Sequence, residues 1–431
     1  MSALLLLVLA QASADVPSAP EVVAEDAGVV LAASADGGVI EDGDSTDSPQ
    51  VEPQPVPWWE GDHMTGEWGG FREWLDNHGV TIDFVYAGEV FADASQPDPG
   101  PNGGYNGHFD LAVTLDFEEM GLWPGGKFYV LGQNNHGDGI NEYVGSVTEI
   151  SNIESKPYFQ IGEFFYEQAL FGWLKFRLGK QDSNRDFGTP RFGGNFINNN
   201  FGMLPSSPLP SYPTNGLGAV VIVQPVWWGN IKAAIFEGSP KISSFGFDSA
   251  FAPNAGHFLI AAINGIHHWG KEDRNGGTTT FGAFRQSGQI REIMPDPEDP
   301  SARIFNENYG VFAQNDERIY LDDDHPLNII SRFGWSQPDR NLMSLFFSTS
   351  IAVHGFGPRK DDTIGIGFGY FTVNRQANGT PGQGGEFFME VFYKWRMSKF
   401  MSLQPDLQYY RTPGGDGADA LLVGVRVKFK M

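Results

Sequence analysis

Residues 386–396 read EFFMEVFYKWR, and their alternation decides the fold. Phe387, Met389, Val391, Tyr393 and Trp395 are apolar or amphipathic, and Phe388, Glu390, Phe392 and Lys394 lie between them. Successive side chains of a strand point to opposite faces, so the segment has one greasy and one wet face. The pattern continues to the C-terminus. Leu403, Leu407 and Tyr409 alternate with Gln404, Asp406 and Gln408. Val423, Val425, Val427, Phe429 and Met431 alternate with Gly424, Arg426, Lys428 and Lys430. Strands of about 9–11 residues cross a bilayer when tilted. The chain is therefore expected to be all-β, a transmembrane antiparallel β-barrel.

Earlier segments repeat the signal. Ile82, Phe84 and Tyr86 alternate with Asp83, Val85 and Ala87, and Phe109 to Phe117 with Asp110 to Asp116. Phe176 and Leu178 alternate with Lys175 and Arg177. Leu345, Phe347, Thr349, Ile351 and Val353 form one face, and Ile364, Ile366, Phe368 and Tyr370 stand opposite Gly365, Gly367 and Gly369. Aromatics make up 14% of the chain, which suits girdles at two membrane interfaces. Mean hydropathy is −0.27 because half of each strand faces water. Past the N-terminus no uncharged apolar run reaches the roughly 18 residues of a membrane helix. The absence of cysteine fits passage through an oxidising compartment. A net charge of −25 argues against nucleic acid as a partner.

The first 80 residues divide into three. Residues 1–14, MSALLLLVLAQASA, read as a signal peptide with an A-x-A cleavage site, although the start lacks Lys or Arg. Residues 15–57 carry ten carboxylates, no Lys or Arg, and a Pro-rich end, the composition of a disordered arm. That arm reads as a solvated spacer, a periplasmic tether or a binding segment for a cell-wall partner. Residues 58–80 place Trp68, Phe71 and Leu75 on one face of a short helix, with Thr65 as its cap and Gly79 as its end. The barrel is expected over residues 81–431.

Outer-membrane barrels have short periplasmic turns and longer outer loops. With the C-terminus periplasmic, the short connection 396–400 falls inside. The Gly-, Pro- and Asn-rich connections 374–385 and 412–418 fall outside. Dividing the chain from Trp58 onward among sixteen strands leaves roughly 23 residues per strand and connection, and eighteen strands fit as well.

Specific strings now add to the pattern. TGEWGGFR (65–72), followed by Leu75 and Gly79-Val80, resembles the N-terminal signature of the carbohydrate-selective porins, the OprB-like family. WPGG (123–126), SNIE (151–154), LGKQDSNRDF (178–187), LQPDLQYY (403–410) and PGGDGADALLVGVRV (413–427) resemble the same family in the same order. The resemblance implies one 16-stranded barrel in a Gram-negative-type outer membrane, a monomer or trimer, passing sugars by diffusion. Two features depart from the family pattern. Lys430 and Met431 follow the last aromatic, Phe429, and the acidic arm precedes Trp58.

Facing the stripe of Phe387 outward directs Phe388, Glu390 and Phe392 into the lumen, together with Gln404, Asp406, Gln408, Tyr410 and Arg426 from the next two strands. Sugar hydroxyls pair with carboxylates, amides and guanidinium groups, and sugar C–H faces lie against rings. Mixed charge with interleaved aromatics suits a neutral polyol better than a one-sign ion filter. A salt-bridged stiffening wall is the alternative. Residues 182–201, DSNRDFGTPRFGGNFINNNF, are the candidate for a constricting loop, with Arg185, Asp186, Arg191 and Phe192 as pathway residues.

Enzyme chemistry finds no foothold. No H-E-x-x-H occurs, and Gly334-Trp335-Ser336-Gln337-Pro338 lacks the second glycine of a nucleophile elbow. Asn134, His136 and Asp138 resemble half a calcium loop whose twelfth position is Gly145. His267 and His268 fall on opposite strand faces, and Asp322-Asp323-Asp324-His325 reads as a solvated outer loop. No cofactor or metal is called for. A general diffusion porin and a structural barrel tying the membrane to the cell wall are the rival readings.

Overall fold

The computed structural model describes residues 57–95, 102–242, 255–293, 295, 301–322, 325–356, 358–377 and 380–431. The signal peptide 1–14, the acidic arm up to its last residue, and Asp323 and Asp324 lie outside these residues. Sixteen strands follow in series: β1 (Val80–Asp93), β2 (Gly103–Asp116), β3 (Gly126–Gly137), β4 (Tyr158–Leu170), β5 (Leu174–Gln181), β6 (Gly216–Val226), β7 (Gly229–Glu237) and β8 (His257–Trp269). The second half comprises β9 (Asn275–Arg291), β10 (Ile304–Tyr320), β11 (Pro326–Ser336), β12 (Met343–Phe356), β13 (Arg359–Ala377), β14 (Thr380–Arg396), β15 (Met401–Arg411) and β16 (Ala420–Lys430). Each strand pairs with its sequence neighbours, and β16 closes on β1 from Val85↔Lys430 to Asp93↔Leu422. Closure leaves no unpaired edge, the condition for crossing lipid with strands.

The expected faces are the observed ones. Phe347, Ile351, Ile366, Phe368, Leu407 and Val423 are exposed on the outside. Their neighbours Phe346, Ala352, Gln408 and Leu422 are buried inside. Turns at one end are tight, such as 171–173, 227–228 and 397–400, while the other end carries loops 138–157 and 182–215. All eleven tryptophans are exposed, and ten cluster at the tight-turn end; Trp335 alone lies toward the other. That is the aromatic girdle of the periplasmic interface.

Two local expectations are corrected. Residues 374–377 and 380–385 are strand rather than loop, because the β13–β14 ladder runs on to Ala377↔Thr380. Gly384 and Gly385 serve close packing. A Cβ on Gly384 would stand 2.6 Å from the Gly415 carbonyl oxygen, and one on Gly385 would meet the Tyr370 hydroxyl. Thr65 does not cap the helix. Helix α1 (Phe71–Asp76) starts at Gly70, whose φ of 89° needs glycine, and the Thr65 hydroxyl instead accepts a 3.1 Å bond from Trp68 Nε1. The helix ends at Asp76, and Gly79 (φ 75°) then turns the chain into β1.

The interior is more apolar than the last three strands suggest. Val220, Phe236, Phe258, Ile260, Phe284 and Phe312, from β6 to β10, point inward and are nearly fully buried. Stretches such as Phe258 to Ile263 are apolar on both faces, which a period-two reading cannot separate from a buried helix segment.

Candidate functional site

The connection 182–215 between β5 and β6 folds into the barrel. Its entry leg is held by charge. Arg177 reaches Glu167 at 2.7 Å and Asp186 at 2.8 Å, and Arg185 reaches Glu163 at 2.7 Å. Lys232 Nζ donates to the Asp186 carbonyl at 3.0 Å, and Arg332 donates to the carbonyls of Gly188 and Asn200 at 2.6 and 3.2 Å. The loop's apolar residues, Phe187, Phe196, Ile197, Phe201 and Leu204, join the inward-facing phenylalanines in one cluster. Polar loop backbone can sit at membrane depth only because these wall groups satisfy it.

The loop tip docks on β14 and β15. Glu390 accepts from the backbone N–H groups of Ile197 at 2.7 Å and Asn198 at 2.8 Å. The Asn198 amide donates to Gln408 at 3.0 Å and to the Tyr410 hydroxyl at 2.6 Å. Gln404 donates to the Asn195 carbonyl at 2.7 Å, and Lys394 to its side-chain oxygen at 3.0 Å. Phe196 packs edge-on against Phe392 at 4.9 Å, and Phe201 against Phe388 at 5.4 Å. Gly367 makes this approach possible, since its Cβ would stand 2.6 Å from the Phe201 ring.

A second loop, 138–157, meets the first. The Asn152 N–H donates to the Ile197 carbonyl at 2.8 Å. Arg426 donates to Ser151 and Asn152 at 2.8 Å each, while its guanidinium also pairs with Glu89. The Glu154 carboxylate gathers the N–H groups of Ile140 and Asn141 at 2.8 Å, and Glu386 accepts from Ser146 and from the Val147 N–H.

A cleft remains along loop 182–215, with Asn152 of the 138–157 loop on its border. Asn152, Asp182, Asn184, Phe196, Asn199 and Tyr212 line it. Toward the tight-turn end a second recess is bordered by Asn195, Lys394, Ser402, Gln404, Arg426 and Lys428. Burial, reinforced by the nearby Glu163 charge, pushes the Asp182 carboxyl up to about 7. Burial also raises Glu154 to about 7 despite its two N–H donors. Burial works on Asp186 in the same direction, but the Arg177 and Lys232 cations outweigh it and hold that carboxyl below its ordinary value.

The wall residues expected along the pathway, Phe388, Glu390, Phe392, Gln404, Asp406, Gln408, Tyr410 and Arg426, all face the lumen and are 0–8% exposed. The inner loop covers most of them, so they touch the loop before they can touch a solute. Arg185 and Asp186 lie in the entry leg. Arg191 and Phe192 are elsewhere, against β10, where the Arg318 guanidinium lies 4.2 Å over the Phe192 ring and that of Arg191 5.0 Å. Asn152, Asn184, Tyr212, Arg318 and Arg332 were not singled out by sequence. Asn152 sits within SNIE, and Asn184 within both the family string 178–187 and the loop candidate 182–201, so these strings carry the sequence signal for them.

The family model described as carbohydrate-selective porin, OprB family, matches residues 101–431. Porin B of Pseudomonas aeruginosa is 22% identical over 413 residues, 85% of this chain and 90% of the relative. The high-pH structure of Pseudomonas putida OprB is similar with a TM-score of 0.77 at 17% identity, covering 86% of this chain and 99% of that one. The low-pH structure of the same protein gives 0.56.

Proposed function

Since the chain belongs to the OprB family of carbohydrate-selective porins, outer-membrane channels rather than enzymes, we propose that it passes neutral mono- and small oligosaccharides by passive diffusion. The observation that carries this reading is the cleft along the inner loop. The partly exposed amides of Asn152, Asn184 and Asn199 and the Tyr212 side chain line it, over the nearly buried Asp182 and Phe196. A polyol can exchange its water for these exposed donors and acceptors. Contacts of this kind are individually weak, as conduction requires. Arg191, Phe192 and Arg318 make a second polar-aromatic station at β10. In this reading Glu390, Gln404, Gln408, Tyr410 and Arg426 set selectivity by fixing the loops.

Liposome swelling with purified protein tests the proposal, using glucose, disaccharides, amino acids and ions of both signs. Sugars should permeate faster than amino acids or ions of similar size. Equal permeation by all solutes of one size would leave a general diffusion porin. Pro57 emerges beside the tight-turn end, which supports a periplasmic position for the acidic arm. Deleting residues 15–57 should leave sugar flux unchanged, and loss of envelope attachment in that deletion would add a tethering role.

A further inference from the structure

Residues 57–79 stand apart from the ladder and precede the stretch that the family model matches. Their aromatic side chains do not pack inward. Trp58, Trp59, Trp68, Phe71 and Trp74 are 41–64% exposed. Trp68, Phe71 and Trp74 recur every third residue, so they share one side of the helical turn, and Phe71 stacks on Trp74 at 5.6 Å. Arg72 points the other way. It is 4% exposed and donates to the carbonyls of Ile82 and Met431 at 3.0 Å each, with its guanidinium 4.2 Å over Trp68.

These contacts fix the segment on the rim of the barrel. The Met64 N–H donates to the Lys430 carbonyl at 2.9 Å, Asp62 pairs with Lys399 at 3.0 Å, and Trp58 stacks on Phe400 of the 397–400 turn at 5.5 Å. The same rim carries Trp123, Trp173, Trp227, Trp228, Trp269 and Trp395, all exposed. The segment's aromatics are therefore continuous with the barrel's own lipid-interface girdle. Amphipathic rings are most stable at headgroup level, with apolar body and polar tip each in a matching environment.

We propose that residues 58–78 are a lipid-contacting collar, lying in the headgroup region of the periplasmic leaflet and widening the barrel's grip on it. The occupant is zwitterionic phospholipid. Glu60, Asp62, Glu67, Glu73 and Asp76 make the segment acidic, which suits ammonium-bearing headgroups better than an anionic surface. Apolar contact by the rings drives the docking.

The chain contains no cysteine, so single spin labels are unambiguous. Trp59→Cys, Trp68→Cys and Trp74→Cys would be labelled in the full chain, reconstituted in zwitterionic phospholipid vesicles, and read for collisions with oxygen and with a water-soluble nickel complex. Phe281→Cys, on the lipid-facing wall, and Glu119→Cys, in a solvated turn, give the two limits. Heat-modifiable gel migration confirms that each variant has closed its barrel. The expected result is nickel collisions at all three positions well below the Glu119→Cys level and above that of Phe281→Cys, as at headgroup depth, with oxygen collisions retained. Nickel collisions as frequent as at Glu119→Cys would place the segment in water and overturn the proposal. Loss of both kinds of collision would mean that protein, such as a second copy of the chain, covers the rings, and would overturn it equally.

Discussion

Replacing Glu390 by alanine removes the carboxylate that receives the Ile197 and Asn198 N–H groups at 2.7 and 2.8 Å. Both donors are buried, and each costs about 1–3 kcal/mol when left without a partner. A lumen that admits water takes the low end, so the docked tip loses about 2 kcal/mol in total. Every 1.4 kcal/mol is tenfold, giving roughly a 30-fold shift toward the undocked tip. Asn198 stays tied to Gln408 and Tyr410, and Asn195 to Lys394 and Gln404, so the tip loosens without leaving the lumen. The barrel ladder is untouched, and the variant should migrate as a folded barrel. Single-channel recording in planar bilayers should show higher and noisier conductance, and liposome swelling should show poorer discrimination between glucose and size-matched amino acids. Glu390→Gln keeps one acceptor oxygen and replaces the other with an N–H donor, so one of the two loop N–H groups keeps its partner and the variant should fall between Glu390→Ala and the parent. Parental conductance and selectivity in Glu390→Ala would refute the idea that this carboxylate holds the constriction.

Four further outcomes follow from the same structure. Phe388→Ala, Phe392→Ala or Arg426→Ala should alter sugar selectivity in swelling assays more than Val425→Ala, whose side chain lies on the opposite face; an equal effect at Val425 would reverse the facing. Gly367→Val should displace the Phe201 ring at a cost of about 1–3 kcal/mol, lowering the temperature at which the folded gel band disappears, whereas Gly382→Val, with open space around its Cβ, should not. Asp182 has its carboxyl raised from 3.8 to about 7, so the folded loop favours the protonated form. Its contribution is fully present below about pH 4 and is lost as the pH rises through 7, a swing on the order of 4 kcal/mol. Sugar flux should change across that window, and an unchanged pH profile in Asp182→Asn would count against the assignment. Arg72→Ala orphans the Ile82 and Met431 carbonyls and should lower the unfolding temperature of the closed barrel, read on heated gels, by the equivalent of about 1–3 kcal/mol.

The facing of the strands was legible because a strand has two faces and the bilayer makes them unlike. Once Phe387 faces lipid, Glu390 and Gln408 must face the lumen, with no further choice. The sixteen-strand count came from the family strings, since division of the chain admits eighteen equally. Residues 374–385 misled because glycine marks both a turn and a close approach, and only the position of Gly415 and Tyr370 shows which. Thr65 misled because its hydroxyl found the Trp68 indole instead of a helix N–H. The inward phenylalanines of β6 to β10 escaped because both faces of those strands are apolar, one for lipid and one for the loop.

The location of the constriction was hidden for a different reason. The loop at 182–201 is visible as a polar-aromatic string, but what it touches is set by partners about 190 to 210 residues away in sequence, such as Glu390 for Ile197 and Gln404 for Asn195. No local period encodes such a pairing. Reading the wall alone makes Glu390 and Gln408 look like sugar ligands, and reading the loop alone makes Asn195 and Asn198 look solvated. Together they satisfy each other, which leaves the partly exposed polar groups of the cleft, such as Asn152, Asn184 and Asn199, as those a passing sugar hydroxyl can reach. Selectivity should therefore respond to the loop faces of the cleft directly and to the strand wall only through the loops it anchors.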